Sequence, residues 1–248
     1  MEPRIVSAME WQKSLAEMLI REKEMTRARD ALAAMRRRMP WTAVRKEYRF
    51  AGPDGSVTLR DLFAGRRQLI VYRAFMDPGV SGWPEHGCVG CSLMADHVPD
   101  LSHLHARDTT FVYVSRGSQA DIARIKSRMG WTIPWFTMLD SEDGFFDADF
   151  DVDFDVDEWH GTNAFIRHPD TDEVYRTYFV NNRGDEAFVG TWNLLDITAL
   201  GRQETWEDSP PGYPQSPPYQ WWRHHELYDH ACQNGGGSPS TASADGVQ

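Results

Sequence analysis

Apolar residues recur at intervals of three and four positions between Ser7 and Met39, and most residues between them are charged. This spacing predicts one long N-terminal helix with an apolar stripe, which Pro40 is expected to end. A stripe of this kind packs on the core of a domain or on a partner, so a homodimer is one interpretation. The stripe consists of Trp11, Leu15, Met18, Leu19, Met25, Leu32, Met35 and Met39.

Short apolar runs alternate with amphipathic stretches over the middle of the chain. The runs predict strands at 48–50, 56–59, 67–75, 109–115, 135–139, 162–167 and 174–178. The amphipathic stretches predict a helix from the second cysteine to about Ala106 and two more over 118–129 and 185–195. Ser118 is the expected N-cap of the second of these helices, and Gly130 is its expected stop. Strands that alternate with helices predict an α/β fold.

Four segments are expected from these patterns. Residues 1–40 form a helical extension, and residues 41–205 form the α/β domain. Residues 206–232 are rich in proline and aromatic residues, and we expect Trp221 and Trp222 to anchor this extension on the domain. Residues 233–248 have too little apolar surface to fold and are predicted to be disordered.

The amino-acid composition favours a globular cytoplasmic protein over a membrane, secreted or nucleic-acid-binding protein. The chain has 248 residues, of which 41% are hydrophobic and 25% charged, as in soluble globular proteins. A net charge of −11 argues against a nucleic-acid partner. No apolar run approaches the roughly 18 residues of a membrane span, and the N-terminus has no apolar signal core. Three cysteines do not make a secreted disulfide scaffold, so we predict a cytoplasmic protein.

An acidic run extends from Asp140 to Glu158, with ten acids and no base. Aspartates alternate with mostly apolar residues from Asp147, which predicts an extended segment with one charged face. The run also resembles a calcium loop, but Val152 stands where an EF-hand needs glycine. We therefore expect only weak binding of divalent ions.

The main candidate for chemistry is the pair Cys88 and Cys91, between a predicted strand and a predicted helix. Positions i and i+3 at a helix start bring two thiols close enough to form a disulfide. The helix dipole and the unpaired N–H groups there favour a thiolate on Cys88, the more exposed of the two. This context predicts a redox-active dithiol that needs no cofactor.

Two alternatives to a redox dithiol are left open, a zinc site and no chemistry. Zinc usually takes a second pair of ligands further along the chain. Cys232 has no cysteine beside it in the tail, and the spacing of His103 and His105 is poor for a second half-site. His86 and His97 are the other nearby histidines. No metal is therefore predicted.

The order of the predicted elements resembles a thioredoxin fold with the extra hairpin of its peroxiredoxin-like branch, a central mixed sheet flanked by helices. Longer residue strings resemble the domain-of-unknown-function-899 family of bacterial proteins over about Arg4 to Tyr228. The resemblance implies a thioredoxin-like dithiol-disulfide oxidoreductase. The strings are Arg27-Ala-Arg-Asp-Ala-Leu32, Gly87-Cys-x-x-Cys-Ser92, Ala95-Asp-His97, His105-Ala-Arg-Asp-Thr-Thr-Phe111, Met129-Gly-Trp131 and Leu200-Gly-Arg-Gln203.

Two departures from related redox proteins affect the expected activity. Thioredoxins have a cis-proline on the strand that faces the cysteines, whereas the corresponding strand here starts at Gly161 and Thr162. Peroxiredoxins also lack that proline, but they have Thr or Ser three residues before the peroxidatic cysteine. Here Glu85 has that position relative to Cys88, so a thiol peroxidase is the weaker alternative.

The expected mechanism is attack by Cys88 on a protein or small-molecule disulfide and resolution by Cys91. His86 is a candidate for stabilising the Cys88 thiolate. Trp83 and Pro84 are candidates for the rim of the site, and Gly161 with Thr162 for its opposite wall. A third alternative is a non-catalytic redox-sensing or protein-binding domain that uses the long helix.

Overall fold

A mixed sheet of eight strands lies at the centre of the part of the chain, residues 4–139 and 160–228, that the computed structural model describes. The strand order is β1-β8-β7-β4-β5-β6-β2-β3. The strands are β1 (Thr42–Ala43), β2 (Arg49–Gly52), β3 (Gly55–Thr58), β4 (Gln68–Arg73), β5 (Thr109–Ser115), β6 (Trp135–Leu139), β7 (Gly161–Arg167) and β8 (Val174–Val180).

Five α-helices accompany this sheet in the described residues. They are α1 (Ala8–Arg36), α2 (Val89–Asp96), α3 (Ser102–His105), α4 (Gln119–Met129) and α5 (Gly190–Leu195). Short 3₁₀ turns occur at Asp61–Phe63, Asn182–Phe188 and His225–Leu227. None of these helices combines the length and the apolar character that a bilayer crossing requires.

The topology is thioredoxin-like, as the order of the predicted elements indicated. Strands β4, β5 and β6 run parallel, with α2 and α4 in the connections between them. Strand β7 then pairs antiparallel with β4, and β8 pairs antiparallel with β7. The predicted hairpin, β2 and β3, extends the other edge of the sheet through β6. The cysteine motif therefore lies where β4 leads into α2.

The two faces of the sheet bury separate apolar clusters because side chains alternate along each strand. Val71 and Val112 point to one face, where they join Phe50 and Phe165. Tyr72 and Tyr113 point to the other face, which α2, α4 and α5 cover. Cys91 belongs to this second cluster, so the dithiol is built on an aromatic core.

Two predicted helices differ from the structure. The predicted helix up to Ala106 is broken: α2 ends at Asp96, Pro99 lies in the gap, and α3 has only four residues. Proline has no backbone N–H and disfavours helix for the residue before it, which explains the break. The predicted helix over 185–195 is instead a 3₁₀ turn followed by the six-residue α5. By contrast, α4 has the predicted caps, with Ser118 accepting from the N–H of Asp121 and Gly130 left-handed at φ 69°.

Helix α1 is regular, but none of its residues is buried. Ser7 caps it by accepting a hydrogen bond from the N–H of Glu10 at 3.2 Å. Its last turn touches the sheet edge, where the Arg36 guanidinium lies 4.8 Å from the centre of the Tyr178 ring. The interpretation that the stripe packs on the core is therefore wrong, and a partner is the alternative that is left. The predicted calcium-like run and the predicted disordered tail lie outside the described residues.

Candidate active site

Cys88 and Cys91 lie at the start of α2, and both are in the thiol form. Cys88 is the N-cap of the helix, and its Sγ accepts a hydrogen bond from the N–H of Cys91 at 3.1 Å. Its carbonyl oxygen accepts from the N–H of Ser92 at 3.0 Å. Cys88 is half-buried, whereas Cys91 is only 1% exposed. The outer sulfur is thus the one that a substrate can reach.

The inner thiol is surrounded by groups that stabilise a negative charge. Burial raises the pKa of the Cys91 thiol, but hydrogen bonds from Cys88, the Phe75 N–H and Tyr72, together with the positive charge of Arg73, lower it overall. The Phe75 N–H lies 3.2 Å from Cys91 Sγ. The lowered pKa therefore belongs to a hydrogen-bonded pair of thiols that favours loss of one proton. That Cys88 is the more acidic of the two stays a prediction.

A buried ion pair holds the segment that follows β4. Arg73 is 1% exposed, and its two terminal nitrogens lie 3.1 and 2.7 Å from the carboxylate oxygens of Asp77. Asp77 also accepts the N–H of Arg116 at 2.9 Å, which joins the ends of β4 and β5. This bidentate pair fixes the backbone that presents the Phe75 N–H to Cys91.

A cavity of about 390 Å³ opens in front of the dithiol, and both cysteines line it. Most of its wall is apolar, and polar groups from the turn after β8 occupy one side. The aromatic part of the lining consists of Tyr72, Phe75, Trp192, Tyr219 and Trp222. The polar part includes His160, Asn182, Arg183, Asp185 and Glu186. A cavity of this size, mainly apolar with a few polar groups, is typical of a small-molecule site.

Asp185 is a buried carboxyl group in this lining that the sequence analysis missed. It is 5% exposed, and its Oδ1 accepts a hydrogen bond from the Thr162 hydroxyl at 3.0 Å. Its Oδ2 has no hydrogen-bond partner among the described residues. Burial raises the pKa of Asp185 to about 7, although the bond from Thr162 acts in the opposite direction. We see no signal in the sequence alone that separates this aspartate from a surface residue of the predicted helix.

The C-terminal extension forms one wall of the cavity. A Cβ added at Gly90, between the two cysteines, would lie 3.0 Å from the Trp222 ring, so this indole packs directly on the motif. Trp192 of α5 contacts both Trp221 and Trp222, with ring centres 5.5 and 5.2 Å apart. The prediction that the two tryptophans anchor the extension is confirmed.

Of the other predicted site residues, one contacts a residue of the cavity lining, and the rest lie away from the cavity. Thr162 lies opposite Tyr72 in the sheet and reaches the cavity only through Asp185, and Gly161 lies opposite Arg73. Trp83 does not line the cavity, since its indole packs in the core beside Gly117 and Trp135. Pro84, joined to Trp83 by a cis peptide, and His86, whose ring lies against Gly82, do not line it either.

The histidines considered as zinc ligands are not grouped around the cysteines. Both ring nitrogens of His97 are hydrogen-bonded: Nδ1 lies 2.8 Å from the Leu93 carbonyl oxygen, and Nε2 lies 2.8 Å from the Thr191 hydroxyl. Within residues 4–139 and 160–228, no three His, Cys, Asp or Glu side chains form a group that could hold a metal ion.

Comparison with protein families shows which family the chain belongs to. The profile of a family described as bacterial proteins of unknown function, DUF899, matches residues 1–228. The chain belongs to the DUF899 family. No curated protein matches this DUF899 chain.

Solved structures similar to this DUF899 chain include two with related redox names. The peroxidoxin BcpB from Mycobacterium tuberculosis is 17% identical, with a TM-score of 0.38, over 63% of this chain and 97% of that one. A putative thiol:disulfide interchange protein DsbE from Chlorobium tepidum is 11% identical, with a TM-score of 0.37, over 60% of this chain and 92% of that one.

Some residue strings that carried the family resemblance hold the DUF899 site together. Asp96, in the string that ends at His97, accepts the Trp131 indole N–H at 2.7 Å and contacts Nδ1 of His225 at 2.7 Å. Arg202, in the last string, lies 2.6 and 2.8 Å from the two carboxylate oxygens of Asp196. The Asp96–His225 contact fastens the end of α2 to the extension, and Arg202 fastens the end of α5, so these strings mark the surroundings of the site as well as the cysteines.

Proposed function

We propose that this DUF899 protein is a thiol–disulfide oxidoreductase whose active group is the Cys88–Cys91 dithiol. The observation that carries the proposal is the placement of both cysteines in the cavity, with Cys88 Sγ accepting the Cys91 N–H at the start of α2. The helix start and the hydrogen bonds to Cys91 Sγ favour one thiolate in the pair. A reducing cytosol suits this chemistry, because a dithiol there cycles instead of remaining oxidised.

In the proposed reaction, the Cys88 thiolate attacks one sulfur of a substrate disulfide. A bond forms between Cys88 Sγ and that sulfur, and the other half of the substrate leaves as a thiolate that takes up a proton. The Cys91 thiolate then attacks Cys88 Sγ and releases the second thiol. Two electrons pass to the substrate, and the protein is left with a Cys88–Cys91 disulfide. A low-molecular-weight or protein dithiol then reduces it.

The test is a titration of protein thiols across defined thiol–disulfide buffers. We expect both thiols to disappear together, with a loss of two hydrogens that mass spectrometry assigns to the peptide containing both cysteines. Cys91→Ser should accumulate a mixed disulfide on Cys88, whereas Cys88→Ser should accumulate none. If Cys91 is the residue that is trapped, the two roles are reversed.

Other outcomes would favour the alternatives. If both cysteines stay reduced in oxidising buffer while one zinc co-purifies with each chain, the redox proposal is wrong. Faster reaction of Cys88 with hydrogen peroxide than with any disulfide would indicate a thiol peroxidase. Stable complexes without turnover would indicate a redox-sensing or binding domain. Pairing of two chains through α1 stays a prediction.

A further inference from the structure

Two aromatic residues of the C-terminal extension, Tyr219 and Trp222, form the part of the cavity wall that we call the roof. The Trp222 ring covers Gly90, between the two cysteines. Trp222 lies so close to Gly90 that a single added methyl group would contact the ring at 3.0 Å. The indole therefore occupies the space beside Gly90, which a substrate cannot use. Cys88 lines the cavity, so its sulfur is accessible to a ligand bound there.

The roof is fixed in place by buried hydrogen bonds. Glu204 is 1% exposed, and its Oε1 accepts from the N–H of Tyr219 at 2.8 Å and from the Trp221 indole at 2.9 Å. Its Oε2 accepts from the Trp206 indole at 2.6 Å. A carboxylate that accepts three donors in the interior is costly to disrupt. These hydrogen bonds hold the extension against the cavity.

Two buried polar atoms of the cavity lining lack a hydrogen-bond partner among the described residues. They are Oδ2 of Asp185 and the indole Nε1 of Trp222. Both atoms are closed off from the cavity by neighbouring groups, so the hydrogen bonds available to a ligand come from the polar side of the lining, from Asn182, Arg183 and Glu186. The aromatic rings of Phe75, Trp192 and Tyr219 offer faces for a flat apolar body.

We propose that the substrate is a small disulfide with an aromatic or apolar body and a hydrogen-bonding group, and not a protein disulfide. This inference rests on the proposed function and specifies its substrate class. The cavity of about 390 Å³ has the volume of small-molecule sites. The Cys88 thiolate attacks one sulfur of this compound, Cys91 resolves the mixed disulfide, and this half-reaction releases two small thiols and leaves the Cys88–Cys91 disulfide, which a dithiol then reduces.

The test compares three disulfides in single-turnover reactions with the fully reduced protein. The probes are a dipyridyl disulfide, bis(hydroxyethyl) disulfide and insulin. Each rate constant is divided by that of dithiothreitol with the same probe, which removes the difference in leaving groups. We expect the normalised rate constant to be highest for the dipyridyl disulfide and lowest for insulin.

Variants separate the roof from general effects on the protein. Trp222→Ala should lower the normalised dipyridyl rate about tenfold, as loss of an aromatic contact predicts, and should raise that of insulin. Tyr219→Ala should act in the same direction and keeps the backbone N–H that Glu204 holds. Leu227→Ala is the matched control in the extension, because Leu227 is 54% exposed and does not line the cavity.

Two results would overturn the inference while the proposed function stands. One is a normalised rate for insulin equal to that for the dipyridyl disulfide. The other is an unchanged ratio of these rates in both roof variants. If the reduced protein fails to form the Cys88–Cys91 disulfide with all three probes, the proposed function itself has failed.

Discussion

The N-terminal helix and the C-terminal extension both lie outside the thioredoxin-like sheet, yet they are held in opposite ways. Helix α1 runs for 29 residues without one buried side chain, and Met25 at its middle is 62% exposed. Residues 206–228 of the extension contain only a three-residue 3₁₀ turn, but His224 is 2% exposed, and Glu204, which holds the extension, is 1% exposed. Regular secondary structure and attachment to the fold are therefore independent properties in this chain.

The difference follows from where the backbone N–H and C=O groups of each segment find their hydrogen-bond partners. A helix pairs its own N–H and C=O groups, so α1 needs no contact with the domain to satisfy them. An irregular segment has to find partners elsewhere: the N–H of Tyr219 donates to the buried Glu204 carboxylate, and the N–H of Thr205 donates to the Ser216 carbonyl oxygen. The stability of the extension consequently depends on a few hydrogen bonds to buried polar groups. The stability of α1 is instead distributed over many backbone hydrogen bonds within the helix.

The largest expected effect is loss of the Glu204 carboxylate. Glu204→Ala leaves two indole N–H groups and one backbone N–H without their acceptor, so we expect the free energy of unfolding to fall by about 4 kcal/mol. Chemical denaturation monitored by tryptophan fluorescence measures it. Glu204→Gln keeps one acceptor oxygen and should cost about half as much. Equal stability of Glu204→Ala and the wild type would mean that the extension is not held as described.

The buried carboxyl group beside the extension should make stability depend on pH. The pKa of Asp185 is about 7 in the folded state against an ordinary value of 3.8, so the native state keeps a proton that the unfolded chain releases. Stability should fall as pH rises between about pH 4 and about pH 7 and then level off. We expect Asp185→Asn to stabilise the protein above pH 7 by about 2 kcal/mol.

Denaturation curves at several pH values test this prediction. The variant and the wild type should converge below about pH 4, where Asp185 of the wild type is protonated in both the folded and the unfolded state. Thr162→Val is the matched control, because it removes the bond that lowers this pKa and should deepen the decline. A parallel pH dependence in wild type and Asp185→Asn would show that another group is responsible.

A methyl group at position 90 should disturb the roof with little change in stability. In Gly90→Ala the helix gains up to about 1 kcal/mol in propensity, and the contact with Trp222 costs a similar amount. Alkylation of Cys88 should nevertheless become faster, because the indole has to move away from the motif. In a Trp222→Ala background, which already lacks the indole, Gly90→Ala should bring no further acceleration. An unchanged alkylation rate in the single variant would contradict the packing described.

The smallest effect is expected in α1. Met25→Ala should change the free energy of unfolding of the isolated chain by less than about 0.5 kcal/mol, since the side chain is exposed. Sedimentation equilibrium then tests the predicted homodimer, with Met25→Glu in the apolar stripe and Met9→Glu outside it as its control. Dissociation by Met25→Glu alone would support pairing through the stripe. A monomeric wild type would exclude pairing at that concentration.

Strands, helix ends and the cysteine motif could be predicted because each is determined by residues that are close together in the sequence. Short apolar runs predicted the strands around Val71 and Val112, and Ser118 with Gly130 predicted the ends of α4. The break at Pro99 was missed because apolar spacing on both sides of it concealed a short gap. The cysteines were identified from their spacing and their position after a strand.

The rest of the candidate site could not be predicted because it depends on long-range contacts. Asp185 and Trp222 meet the cysteines in the cavity from about 94 and 131 residues further along the chain. Trp83 was placed at the rim because it is close in sequence, but its indole turns into the core. Neither burial nor the absence of a hydrogen-bond partner can be read from a residue's immediate neighbours.

Because Cys88 Sγ caps α2, the redox state of the protein and the order of that helix are thermodynamically linked. A thiolate is a stronger acceptor for the Cys91 N–H than a sulfur bonded in a disulfide. Oxidation should therefore weaken the cap by about 1 kcal/mol, which for a two-electron couple corresponds to roughly 20 mV towards a more oxidising potential. Hydrogen exchange at the Cys91 amide would report this directly, with faster exchange in the oxidised protein than in the reduced one.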